Sequence, residues 1–318
     1  MRILKTVAAV LFSILAMSGS AHATPTQAAP VKLPVTYSFL SGIDAELRNP
    51  GGSLPGSNDY SCRPSVAHPR PVILVHGSGG GRQTNWGTLV PVLRNEGYCV
   101  FVPAYGALTN VWPASAIGGM GPKLASAWQI KYFVGDVLER THSTQVDIVG
   151  HSLGTEIPTY WIKYLGGKGK VRHYVSLAPY WKQAADEDDV RSDFISSIQK
   201  RLGISQPPTS CAGCRKPGAN LNFNQAVRRP TPYLDDIAYT NISTRDDEVV
   251  TPYSVGQLAG PPGTNVTNIV VQQGCRLDRS DHASITSNRR SAALVLNALD
   301  PAQLREVPCV PVAPFTGG

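Results

Sequence analysis

Val146-Asp147-Ile148-Val149-Gly150-His151-Ser152-Leu153-Gly154 decides how this chain is read. Four residues of strand character run directly into G-x-S-x-G, and a helix-compatible stretch follows. A strand that ends, reverses and enters a helix within so few residues holds its serine at the tip of a strained turn, a nucleophile elbow. Gly150 and Gly154 suit that turn because side chains there would collide with the neighbouring strand and helix. The turn lifts the Ser152 hydroxyl clear of the backbone, where a base and a substrate can both reach it.

Outward from the elbow, strand-like and helix-like runs alternate. Val72 to Val75, Tyr98 to Val102, Val146 to Val149, Val171 to Ser176, Ala238 to Ser243 and Asn265 to Val271 read as strands. Trp86, Leu89 and Leu93 fall at helical spacing. Ile130, Phe133, Val134, Val137 and Leu138 form an i, i+3, i+4, i+7, i+8 stripe, the mark of an amphipathic helix. A last helix is expected from near Ala283 to near Leu299, stopped by Asp300-Pro301. This alternation predicts an α/β fold with a mostly parallel central sheet and helices on both faces. Two stretches break the rhythm, Ala104 to Gly121 and residues 181–236. Excursions of that length commonly build walls or lids over a site, although 181–236 reads equally well as a plain surface insertion. Within it, Asp186-Glu187-Asp188-Asp189 fits a solvated acidic helix start better than a calcium site.

A serine hydroxyl is a poor nucleophile at neutral pH. It needs a histidine as base and a carboxylate to fix that histidine's tautomer. In a sheet of this kind the chain order is serine, acid, histidine. His282, in the loop between the last strand and the last helix, is the histidine that fits. His68, His76 and His142 precede the elbow, His173 lies inside a strand, and His151 shares the serine's turn and points away from it. The acid is expected just past the strand ending at Ser243, where Asp246, Asp247 and Glu248 compete. Asp247 is favoured, with Asp246 and Glu248 as alternates; Asp281 reads as a loop cap. The oxyanion needs two backbone donors. Leu153 N–H, directly after the serine, is one. The loop His76-Gly77-Ser78-Gly79-Gly80-Gly81 supplies the other, assigned to Ser78. That loop lacks the G-K-[ST] ending and the G-x-G-x-x-G spacing of phosphate cradles. The reaction these groups support is acyl transfer to water, with no metal and no organic cofactor.

Several stretches together resemble the secreted bacterial lipases of the class 2 type, within the α/β-hydrolase superfamily. They are Ser61-Cys62-Arg63-Pro64, Pro71 to Gly77, Asn85-Trp86, Gly97 to Phe101, Val146 to Gly154, Tyr239 to Ile242, Asp247 to Tyr253, Asp281-His282 and Leu296 to Pro301. The resemblance spans most of the chain after residue 60. It implies an α/β-hydrolase fold and a carboxylic ester substrate, met in solution or at a lipid–water interface. It also implies Asp247, in D-E-x-V-x-P, as the acid. Tyr105, Leu108, Val111, Trp112, Ile117 and Met120 are the apolar residues placed to line an acyl site, to meet lipid, or simply to pack.

The chain's 318 residues suit one large domain or two small ones. Arg2 and Lys5, an apolar run from Val7 to Met17, and Ala21-His22-Ala23 read as a secretory leader cut after Ala23. The run is too short for a membrane span. Residues 24–60, rich in Pro, Gly and Ser, read as an extended lead-in, and 61–318 as a single catalytic domain carrying the insertion. The formal charge of +7 falls by two, to +5, with the leader. No dense basic run suggests nucleic acid; a secreted monomer without a membrane anchor is expected. Six cysteines in an exported chain should be oxidised. Local order favours Cys62–Cys99, Cys211–Cys214 and Cys275–Cys309, and the resemblance implies the first and last of these. No second C-x-x-C completes a zinc set with Cys211 and Cys214.

Overall fold

The computed structural model describes residues 31–181 and 221–318. Outside them lie the expected leader, the start of the lead-in, most of the 181–236 insertion, Asp186 to Asp189 and the Cys211–Cys214 pair. Lys32–Gly318 forms one compact unit. Among the described residues, helix α1 (Leu40–Arg48) precedes β1 (Val72–Val75), α2 (Leu89–Asn95), β2 (Val100–Phe101), α3 (Lys123–Thr141), β3 (Val146–His151), α4 (Leu153–Tyr164) and β4 (Val171–Leu177). Then come α5 (Leu221–Arg228), β5 (Ala238–Ser243), β6 (Asn265–Val270) and α6 (Arg289–Leu299).

The strands lie in the order β2-β1-β3-β4-β5-β6, and every pairing is parallel. Strand periodicity explains how so short a sheet holds two cores. Ile73, Val75 and Ile148 face one side, where α3, α4 and α5 supply Ile130, Val134, Ile157, Trp161 and Val227. Val72, Leu74 and Val149 face the other, against Leu89, Leu93, Val295 and Leu299 of α2 and α6. All four residues of β1 are buried, as a central parallel strand requires. Each such side chain contributes roughly 1.5–3 kcal/mol by leaving water. The arrangement is the α/β sheet with two-sided helical cover.

Three local expectations change. The lead-in is not extended throughout: Ile43-Asp44-Ala45-Glu46-Leu47-Arg48 contains good helix formers and folds as part of α1, a signal diluted by the surrounding Pro and Gly. The strand expected over Tyr98 to Val102 shrinks to two residues. Its outer edge is taken by Asn58, whose N–H donates to Val100 O (2.9 Å) and whose side chain accepts from Val102 N (2.7 Å). The last helix begins at Arg289, after a 3₁₀ turn over Ser284–Thr286. Asn288 interrupts the run because its side-chain oxygen caps Arg290 N (2.6 Å) and Ser291 N (3.3 Å). Cys62–Cys99 and Cys275–Cys309 are bonded. No helix among the described residues is long and apolar enough to cross a membrane.

Candidate active site

The C-terminal ends of β1, β3, β5 and β6 converge, and the loops after them carry the candidate residues. β3 delivers Ser152 with φ 52° and ψ −122°, backbone that an L-residue occupies only under constraint. The constraint is packing. A Cβ on Gly154 would sit 2.0 Å from Val75 O, and one on Gly150 2.5 Å from Gly154 O. Strand and helix therefore approach at backbone distance, and the residue between them has no room to relax. Ser152 N–H is satisfied by Leu177 O at 3.0 Å. Leu153, as the first residue of α4, has an N–H with no acceptor inside the helix, at the end where the helix dipole is positive.

The loop after β1 lies against this turn. A Cβ on Gly77 would be 3.0 Å from the Ser152 Cβ. His76 anchors the loop: burial pulls its pKa down to about 4, so the ring is neutral, and its Nδ1–H donates to Gly77 O (2.9 Å). Tyr105 stacks on that ring at 4.2 Å and donates its hydroxyl to the His76 carbonyl. Gly118 and Gly119 close in from the Ala104–Gly121 stretch; Gly79 N–H donates to Gly118 O (2.9 Å), and a Cβ on Gly119 would be 3.0 Å from Ser78 Cα. That stretch is thus a wall beside Gly77 and Ser78. Of its apolar residues, Tyr105 and Met120 are core, whereas Leu108, Val111, Trp112 and Ile117 are exposed.

The three acids after β5 separate by geometry. Asp247 faces the His282 ring, with both carboxylate oxygens 3.0 Å from Nδ1. Its Oδ1 also accepts from Val249 N (2.9 Å) and Val250 N (2.7 Å), which fixes the carboxylate's orientation. Asp246 turns outward to Arg279 at 2.8 Å. Glu248 accepts from the main-chain N–H of His282 (3.1 Å). Burial pulls the His282 pKa down, but the Asp247 carboxylate, its hydrogen bond and the charges of Glu248 and Asp281 outweigh that, and the net direction is upward. With Nδ1–H donating to Asp247, the neutral ring carries its lone pair on Nε2, the form a general base needs.

The His282 loop is held by a polar scaffold. Asp281 caps Ser284 N and Oγ and accepts from Phe315 N (3.1 Å). Asp278 accepts from Ser280 N and from Asn288 Nδ2. Arg290, on α6, donates to Val271 O, Gln273 O and Pro308 O, tying the loop to the tail pinned by Cys275–Cys309. Sequence reasoning did not find the contact made by His151: its Nε2 lies 2.9 Å from the His282 carbonyl, and the two rings are 4.8 Å apart. A histidine directly before the serine was the available signal.

A parallel sheet presenting a strained serine beside a buried histidine–carboxylate pair is the arrangement of the α/β-hydrolase fold, and this chain has that fold. Residues 69–181, from just before β1 through the elbow to just past β4, match the family model for class 2 lipases. Among solved structures, Aspergillus fumigatus lipase B is similar with a TM-score of 0.52 and 16% identity, over 81% of this chain and 56% of that one. A mature Bacillus licheniformis lipase gives 0.51 and 14%, over 74% of this chain and 94% of that one. At such identities the likeness is one of fold. In sequence, 89 residues are 30% identical to pyrrolizixenacetamide deacetylase of Xenorhabdus hominickii. That stretch is 27% of this chain and 29% of the relative, so the chain spans under a third of the relative it matches.

Proposed function

We propose that this protein hydrolyses carboxylic esters, lipid esters foremost, through an acyl-enzyme on Ser152. The observation that carries the reading is the buried Asp247–His282 pair held beside the strained Ser152 turn. His282 Nε2 takes the Ser152 Oγ proton as that oxygen bonds to the ester carbonyl carbon. The carbonyl oxygen gains the negative charge and is received by Leu153 N–H and Ser78 N–H, each worth roughly 2.7–4 kcal/mol at the transition state. His282 then gives the proton to the departing alkoxide. A water molecule, deprotonated by the same nitrogen, attacks the acyl carbon and releases the acid and Ser152. Asp247 holds the Nδ1–H tautomer and stabilises the imidazolium without taking its proton.

Lipid esters are favoured over small dissolved ones by the wall beside the oxyanion loop, which turns Leu108, Val111, Trp112 and Ile117 to the outside. The leader, secretion and a monomeric state belong to the same reading: two disulfides suit an oxidising compartment. The deacetylase relative is named for removing an acetyl group from an amide, and the same serine chemistry serves amides. The test is an acyl-chain profile on tributyrin, triolein emulsion and an N-acetyl amide, with Ser152→Ala as control. Ser152→Ala is expected folded and inactive, with no fluorophosphonate labelling. Parental hydrolysis by that variant ends the serine assignment, and activity confined to dissolved short esters removes the lipase label.

A further inference from the structure

We propose that His151 and Glu248 are positioning residues that grip the main chain of His282 from both sides and hold its ring in register with Ser152. The inference rests on the reading of His282 as the base. Glu248 takes the His282 N–H at 3.1 Å, and His151 Nε2 meets the His282 carbonyl at 2.9 Å. A carbonyl only accepts, so His151 Nε2 carries a hydrogen. Burial, reinforced by the neighbouring His282, pulls the His151 pKa well down, so the ring is neutral and Nδ1 carries a lone pair. Nδ1 then needs a donor. Asn85 stands 3.2 Å away, and its Nδ2 otherwise has no acceptor among the described residues. With the NH2 turned to the ring, His151 Nδ1 has its donor and the Asn85 NH2 has an acceptor. Asn85 thereby fixes the tautomer of His151, and His151 fixes the His282 carbonyl.

The grip couples two elements that the triad alone leaves independent. His151 and Ser152 are consecutive on the rigid elbow, so a bond from His151 to His282 measures the His282 loop against the serine itself. The groups facing His282 are Asp247 and Glu248 from the loop after β5, Asp281 from its own loop and His151 from the elbow. Glu248 has a second effect: its charge favours the protonated ring, whereas its hydrogen bond serves position. Glu248→Gln removes the charge and keeps an acceptor; Glu248→Ala removes both.

The test uses the full chain and p-nitrophenyl butyrate, with near-ultraviolet circular dichroism to verify native packing. His151→Phe is expected to lower kcat roughly 10- to 100-fold, with KM within about two-fold, the scale of loss that misplacement by about an ångström produces. His151→Gln, whose NH2 reaches the same carbonyl, recovers most of it. Glu248→Gln moves the acid limb of kcat/KM to lower pH, because the ring loses a nearby negative charge. Glu248→Ala moves it likewise and loses at least a further ~10-fold in kcat. A folded His151→Phe with parental kcat, or Glu248→Ala matching Glu248→Gln in kcat, overturns the grip. Should His151→Phe fail to fold, the Glu248 pair decides alone. Ser152→Ala separates the two readings: if it is inactive while the variants keep parental kcat, only the grip falls; if it is active, the base assignment falls as well.

Discussion

Asp247→Asn isolates the tautomer argument because the site dictates how an amide would sit there. Oδ1 of Asp247 is held by two main-chain donors, Val249 N at 2.9 Å and Val250 N at 2.7 Å. An asparagine would keep its oxygen on those donors. Its NH2 would then replace Oδ2, 3.0 Å from His282 Nδ1. An NH2 donates, so it favours the ring with a bare Nδ1 and a hydrogen on Nε2, which cannot take the Ser152 proton. The measured scale for such tautomer inversion in serine triads is about 10⁴ in kcat, or about 5 kcal/mol. Because Oδ1 also lies 3.0 Å from Nδ1, the productive tautomer keeps a weak acceptor, so about 10³ to 10⁴ is expected. Loss of the carboxylate also removes the main influence raising the His282 pKa. Parental kcat/KM should therefore fall as pH drops from above the ordinary imidazole value of about 6.5, and the variant's residual activity should persist to lower pH. The assay is kcat and kcat/KM against pH on p-nitrophenyl butyrate, with circular dichroism and melting temperature as controls. A natively folded variant retaining more than a tenth of parental kcat would refute the reasoning.

Three further outcomes follow from the packing. Gly154→Ala would place a methyl 2.0 Å from Val75 O and 2.6 Å from His76 O, both backbone atoms, and should cost at least about 3 kcal/mol; urea denaturation of purified protein checks this, and a midpoint near parental contradicts it. Cys275→Ser with Cys309→Ser opens a crosslink spanning 34 residues and should cost about 3–4 kcal/mol. Because Arg290 ties that tail to the His282 loop, activity should decline below the melting transition, which parallel activity and ellipticity scans would reveal. Gly77→Ala puts a methyl 3.0 Å from the Ser152 Cβ and should lower kcat by at least about ten-fold while the melting temperature holds, since crowding at a reacting centre costs position before stability.

The sheet was legible because buried parallel strands leave continuous apolar runs, and Val72 to Val75 and Val146 to Val149 are such runs. Chain order ranks His282 above the other histidines, and its ring lies against Asp247. The choice among Asp246, Asp247 and Glu248 was different in kind. Three consecutive acids share one composition, and only the turn after β5 decides that one faces Arg279, one the ring and one a main-chain N–H. His151 reads as pointing away from Ser152 on the shared turn, and nothing in that adjacency reveals its contact with a loop 131 residues away. Non-local hydrogen bonds leave no periodicity to read. α1 was hidden for a similar reason: nine residues in a Pro- and Gly-rich stretch are too few to shift its average character.

That helix bears on where the functional unit begins. Glu46 is buried on α1 and accepts from Gln83 Nε2 (2.7 Å), Gly51 N (2.7 Å) and Trp112 Nε1 (3.2 Å). Gln83 follows the glycine-rich loop and Trp112 belongs to the apolar wall, so one carboxylate staples that loop to that wall. A shortened version starting at the first cysteine would keep Ser152, Asp247 and His282 and yet lose the brace between the glycine-rich loop and the apolar wall. Minimal expression boundaries for this protein therefore belong upstream of residue 40, not at the onset of its strand rhythm.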